Sequence, residues 1–284
     1  MVKPRYIKHP YCIYVGNPNF SGAMEFGFGF TNNMGFSQTA DVGEKIKTRV
    51  ICIGGSTTEL NDGPDVSNSY PGWLQRELGD NYEVINAGVC GYTSAEMLIN
   101  FELRLLDLKP DYVVIYEAVN DVLYAGMIDG FKSDYTHSRV NISGEWKDVD
   151  LTECINKQDR MLAKEYPQEA VDTFKRNIKN ICAIAICHGI KPIIVKFNYN
   201  PTLDKYDSDY IYPLPQLGLS GGEKLFVDGL RRNNAVLKEI SNEVHGVFYV
   251  ETEYMSGMKF IDNFHFNEEG MKIIAKAVSN AIKP

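Results

Sequence analysis

The chain has 284 residues, enough for one large α/β domain or two small ones, and its 44% hydrophobic and 23% charged residues suit a soluble globular protein and exclude a disordered polypeptide. A formal net charge of -8 leaves no general basic footprint for nucleic acid or an anionic membrane. Six cysteines with no C-x-x-C pair exclude a disulfide scaffold in a chain of this size, and point to reduced thiols and a cytoplasmic setting.

Residues 1–47 are rich in Gly, Phe and Asn with poor periodicity. They read as irregular chain or short strands packed on a core formed by residues 48–284. Met1 to Tyr14 lacks the continuous apolar stretch of a secretion signal, and no run of about 18 apolar residues follows anywhere, so no integral membrane segment is expected. Arg49 to Ile53 is a short apolar run that stops at Gly54-Gly55-Ser56. That is the pattern of a buried strand delivering a hydroxyl to the rim of a sheet. Thr57 or Thr58 can cap a short helix there, with Glu59 solvated or in a capping role.

Ser69 to Leu78 predicts a helix, with Trp73, Leu74 and Leu78 on one side, and Tyr82 to Asn86 predicts a second strand ending at Ala87-Gly88. Ser94, as a cap, opens a predicted helix to Leu106 carried by Met97, Leu98, Phe101 and Leu105. Lys109-Pro110 breaks it, and Tyr112 to Tyr116 is the third strand. Residues 122–160 have no clean period and read as a long loop holding short helices or a lid.

Phe174 to Cys187 predicts a helix stopped at Gly189, with His188 at its end in a structural role. Pro192 to Phe197 is the fourth strand, 198–220 a second long loop, Gly222 to Ile240 a helix and Val247 to Val250 the fifth strand. A last helix spans Glu268 to Ile282, with Asn267 able to cap it and Ile274, Ala277, Val278 and Ala281 on its inner side. Alternating strands and helices predict βα units around a mostly parallel five-stranded sheet. Ligands of such sheets gather outside the carboxyl ends of the strands, where Ser56, Gly88 and Asn120 each follow a strand.

A serine hydroxyl attacks an acyl carbonyl usefully only when a base receives its proton, and histidine suits neutral pH. Asp262 and His265 share one loop, so the carboxylate can orient the imidazole and stabilise the imidazolium. Standing alone, His265 would read as a surface or helix-start histidine. The negative charge formed by attack needs donors. The Ser56 and Gly88 N–H groups and the Asn120 side chain are candidates, although Gly88 also suits a plain turn and Asn120-Asp121 an Asx turn or cap. Phosphate-loop, dinucleotide, G-x-S-x-G and H-E-x-x-H patterns are absent, so no cofactor and no metal is expected. The aromatic sets Phe26-Phe28-Phe30 and Tyr206-Tyr210-Tyr212 suit either an acyl or sugar pocket or core packing.

Four blocks resemble the SGNH hydrolases, also called GDSL-like lipases or esterases: Gly54-Gly55-Ser56, Ile85-Asn86-Ala87-Gly88, Ala118-Val119-Asn120-Asp121 and Asp262-x-x-His265. Asn33-Met34-Gly35-Phe36 is similar to a segment that precedes the first block in many bacterial relatives. The resemblance implies a flavodoxin-like three-layer α/β/α sandwich. It makes Ser56 the nucleophile, His265 the base and Asp262 its orienter, with Ser56, Gly88 and Asn120 forming the oxyanion hole. It also implies hydrolysis of a carboxylic ester of a lipid, sugar or small alcohol, without a cofactor. Gly55 stands where the family usually has Asp, and Ala118 where it has Gly. Acyl transfer by the same triad and a turnover-deficient carbohydrate- or lipid-binding module are the competing functions. Oligomeric state is left open.

Overall fold

The computed structural model describes residues 4–24, 27–60, 65–127, 129–138, 163–203, 213–214, 219–220, 222–253 and 255–283. Most of the expected 122–160 loop, much of 198–220, Phe26, Tyr206, Tyr210 and Tyr212 lie outside the described residues.

Two antiparallel hairpins open the chain: β1 (Tyr6–His9) with β2 (Ile13–Gly16), and β3 (Ser21–Met24) with β4 (Gly27–Phe30). Tyr6, Tyr14 and Val15 bury their side chains in the main core, and the Tyr14 hydroxyl donates to Cys90 O at 2.6 Å. The turn that follows covers a sheet edge, where Asn86 N–H donates to Gln38 Oε1 at 2.9 Å.

The central strands are β5 (Thr48–Gly54), β6 (Tyr82–Asn86), β7 (Tyr112–Tyr116) and β8 (Lys191–Val195); after the short pair β9 (Pro213–Leu214) and β10 (Leu219–Ser220) comes β11 (Phe248–Val250). Their order is β11-β8-β7-β5-β6, parallel at every pairing. Taken in chain order this is the 2-1-3-4-5 arrangement of flavodoxin-like sheets, whose direction of winding reverses beside the first strand. That reversal falls between β5 and β7, the two strands that carry Ser56 and Asn120 at their carboxyl ends.

The central strands read as nearly continuous apolar runs because both faces are covered. Val50, Ile51, Val113, Val114, Ile193 and Ile194 are fully buried. Each such side chain contributes roughly 1.5–3 kcal/mol of transfer free energy. Helices α1 (Ser56–Glu59), α2 (Tyr70–Leu78), α3 (Ser94–Asn100), α4 (Gln168–Cys187), α5 (Glu223–Glu243) and α6 (Glu268–Ile282) complete the fold. α2 packs with α6 on one face; α3, α4 and α5 pack together on the other. No helix among the described residues is long and apolar enough to cross a membrane.

Several boundaries differ from expectation for local reasons. Ser94 is not the cap of α3: Thr93 is, accepting from Ala95 N–H while its own N–H and hydroxyl reach Glu96. Ser94 is thereby freed to bind Asp121. The predicted run to Leu106 continues only as one widened turn, Phe101–Leu105, and a tight turn, Leu106–Leu108, which Lys109 ends at φ 53°. α4 begins at Gln168, well before Phe174, because Pro167 sets the start and Ala170 and Val171 extend the buried stripe. On α6 the inner face runs through Met271, Ile274, Ala275 and Val278, leaving Ala277 and Ala281 half-buried.

Candidate active site

Ser56 is the first residue of α1, directly after β5 and the single-residue joint Gly55. The cap position is Gly55, not Thr57 or Thr58; Thr58 Oγ1 instead lies 3.4 Å from Tyr116 O, tying α1 to β7. As an opening residue, Ser56 has no carbonyl one turn earlier to take its N–H. Glu59 is not solvated. It is 3% exposed, pairs with Arg5, and accepts from the Tyr6 hydroxyl at 2.7 Å and from Cys90 N–H at 2.5 Å. The N-terminal hairpin is thus latched to the turn that presents Ser56.

The loop before α6 closes on itself, with a bridge between Phe260 and Phe266 and an Ile261 N–H bond to His265 O at 2.8 Å. Phe264 and Phe266 point into the core, against Phe226 and Tyr116 respectively. The Phe264 and His265 rings lie 4.6 Å apart, so the buried phenyl ring packs beside the imidazole. Its Nε2 lies 2.8 Å from Ser56 Oγ, and its Nδ1 lies 2.7 Å from Asp262 Oδ2. Asp262 Oδ1 accepts the N–H groups of Phe264 at 2.9 Å and His265 at 2.8 Å. Burial pushes the Asp262 carboxyl up, but its bonds to His265 and the imidazolium charge outweigh burial and hold it below the usual carboxylate range. Asn267 caps α6 through Gly270 N–H at 3.1 Å.

Gly88 lies against α1: a Cβ there would come within 2.6 Å of Glu59 N and 2.8 Å of Thr58 Cβ. The close approach itself requires glycine. Its N–H donates to Asn86 Oδ1 at 3.2 Å. Asn120 is 3% exposed, and its Nδ2 donates to Tyr92 O at 2.9 Å. Ala118 is fully buried, with its carbonyl 3.5 Å from Asn233 Nδ2 of α5.

Glu117 adjoins these residues and was not singled out in the sequence. It is fully buried at the end of β7; its Oε2 accepts Gly55 N–H at 2.9 Å and its Oε1 accepts Asn120 N–H at 2.7 Å. The signal was a lone charged residue closing the apolar run Val113 to Tyr116. Burial, reinforced by Asp121, pushes its carboxyl up to about 8 against the N–H bonds of Asn120, Gly55 and Ala118. Asp121 is itself pushed up to about 6 by burial, although Ser94 and the Tyr135 hydroxyl bind it. Both carboxyls therefore hold a proton more tightly in the folded chain than in the unfolded one. The stability each contributes is complete below its unfolded value and is lost as pH rises through its folded value. The melting temperature is expected to fall between about pH 5 and about pH 8.5, and Glu117→Gln, which cannot ionise, should flatten that slope. Melting curves across this range decide it; equal slopes for the two chains would refute it.

Solved structures similar to this one include a GDSL-like lipase from Bacteroides thetaiotaomicron VPI-5482 (TM-score 0.53, 17% identity, covering 85% of this chain and 91% of that one). A lipase/acylhydrolase from Enterococcus faecalis is similar at TM-score 0.52 and 18% identity, over 83% of this chain and 95% of its own. An acetyl xylan esterase is similar at TM-score 0.53 and 15% identity, over 82% and 99%. No curated protein sequence matches. These structural likenesses concern the fold. At the level of sequence, residues 52–273 match the model of the GDSL-like Lipase/Acylhydrolase family, and the chain belongs to that family.

Proposed function

We propose that the chain is a serine esterase, hydrolysing an O-acyl or O-acetyl ester of a lipid, sugar or small alcohol through an acyl-serine intermediate. The observation that carries this reading is the continuous contact from Ser56 Oγ to His265 Nε2 at 2.8 Å and from His265 Nδ1 to Asp262 Oδ2 at 2.7 Å.

In this reading Ser56 Oγ attacks the ester carbonyl while His265 Nε2 takes the hydroxyl proton, and Asp262 keeps the remaining ring proton on Nδ1. The tetrahedral intermediate collapses as His265 returns the proton to the leaving alcohol. Water, deprotonated by the same imidazole, then releases the acid and restores Ser56. The oxyanion receives Ser56 N–H, Gly88 N–H and the second hydrogen of Asn120 Nδ2, which gives up a long 3.5 Å bond to Glu117 Oε2 while Tyr92 O keeps the first at 2.9 Å. The Gly88 bond to Asn86 is long at 3.2 Å, so sharing that N–H with the oxyanion costs little.

Hydrolysis of p-nitrophenyl esters of graded chain length and of acetylated sugars tests the reading, with free acid as the product measured. Wild-type chain that releases no acid and is not labelled by a serine-reactive phosphonate would overturn it. Asn120→Ala is expected to lower kcat by about 10²–10³-fold, on the order of 3 kcal/mol of transition-state stabilisation. Steady-state kinetics with unchanged kcat would remove Asn120 from the oxyanion hole.

A further inference from the structure

We propose that Glu117 is a positioning residue for the oxyanion site, its buried carboxyl group bracing the Ser56 turn against Asn120 from the end of β7. The inference rests on the reading above, in which Ser56 N–H and Asn120 are the oxyanion donors.

A Cβ on Gly55 would lie 2.2 Å from Asn120 Nδ2 and 2.7 Å from Glu117 Oε2, so both side chains pack directly against the backbone just before Ser56. Glu117 uses its two oxygens on two different strand ends. One holds the Gly55 N–H, one bond before the Gly55–Ser56 peptide; the other holds the backbone N–H of Asn120. Its Oε2 also accepts a long 3.5 Å bond from Asn120 Nδ2. The spacing between the Ser56 turn and the Asn120 amide is thereby set by one planar, fully buried group rather than by solvent-exposed loops.

Glu117→Gln keeps the volume and removes one acceptor, so that its amide nitrogen must face either Gly55 N–H or Asn120 N–H, donor against donor. A space-filling role would tolerate this change. A positioning role predicts that kcat for p-nitrophenyl acetate falls by about 10-fold or more while KM stays within about twofold. Gly55→Ala, whose Cβ would meet Asn120 Nδ2 and then Glu117 Oε2, is expected to be impaired at least as much, and Glu117→Asp, whose shorter carboxylate cannot hold both N–H groups, is expected to lose kcat likewise.

The outcomes separate the two proposals. Hydrolysis retained in Ser56→Ala, or kcat unchanged in Asn120→Ala, would sink the catalytic reading on which this one rests. Loss in both of those variants with wild-type kcat in folded Glu117→Gln would overturn the role of Glu117 alone. If Glu117→Gln does not melt cooperatively, Glu117→Asp decides, and wild-type kcat there overturns it.

Discussion

Ser56→Ala is expected to lower kcat for ester hydrolysis by about 10⁴- to 10⁶-fold while leaving the melting temperature nearly unchanged. The substitution removes one atom, the oxygen 2.8 Å from His265 Nε2. Ser56 is only half-buried at the start of α1, so no core packing is lost with it. His265→Ala should cost a similar factor, and the double variant little more than either, because an alcohol without its base and a base without its alcohol are equally idle. Single-turnover release of p-nitrophenolate, with mass analysis of phosphonate-treated chain, measures both. Labelling at another serine, or a double variant slower by the product of the two single losses, would show that Ser56 and His265 do not act as one unit.

Asp262→Asn is expected to lower kcat by about 10⁴-fold through the placement of a single proton. Two backbone N–H groups already hold Oδ1, at 2.9 and 2.8 Å. The amide oxygen of asparagine must stay with them, which turns its NH₂ toward His265 Nδ1. Nδ1 then becomes an acceptor and the ring proton moves to Nε2, against Ser56 Oγ, where a lone pair is needed. The fold should survive, since the loop's backbone bonds persist. Kinetics together with ¹⁵N chemical shifts of the imidazole test this; an Nδ1-protonated ring in a slow variant would refute the tautomer account. The wild-type carboxyl, held below its ordinary range, contributes stability at neutral pH that is lost as pH falls through its folded value.

Much of this arrangement was legible in the residues. β7 begins and ends where the apolar run Tyr112 to Tyr116 does, because a strand covered on both faces leaves an unbroken hydrophobic record. β6 also keeps the expected bounds Tyr82 to Asn86. The neighbourhood of Ser56, Asp262 and His265 was legible from motif spacing along β5 and before α6. Contacts made at a distance were not. Glu59 looked like a solvated or capping residue since nothing nearby announces a partner; Arg5, 54 positions earlier, supplies one. Glu117 was hidden by the Asn120-Asp121 pair that follows it, and its bonds to Gly55 N–H and Asn120 N–H appear only once two strand ends are packed side by side. The start of α4 was obscured by Gln168, Glu169 and Asp172, polar residues on the outer side of a helix whose inner stripe already includes Ala170 and Val171.

The Arg5–Glu59 latch ties the turn that carries Ser56 to a residue 54 positions earlier. A protease or a cloning design that trims the chain past Tyr6 would strip Glu59 of its cation and of one hydroxyl donor. Breaking a buried pair from one side costs about 3–5 kcal/mol. Shortened versions should therefore lose heat tolerance first, with damage radiating from the turn beneath Ser56 and not from the distant sheet edges.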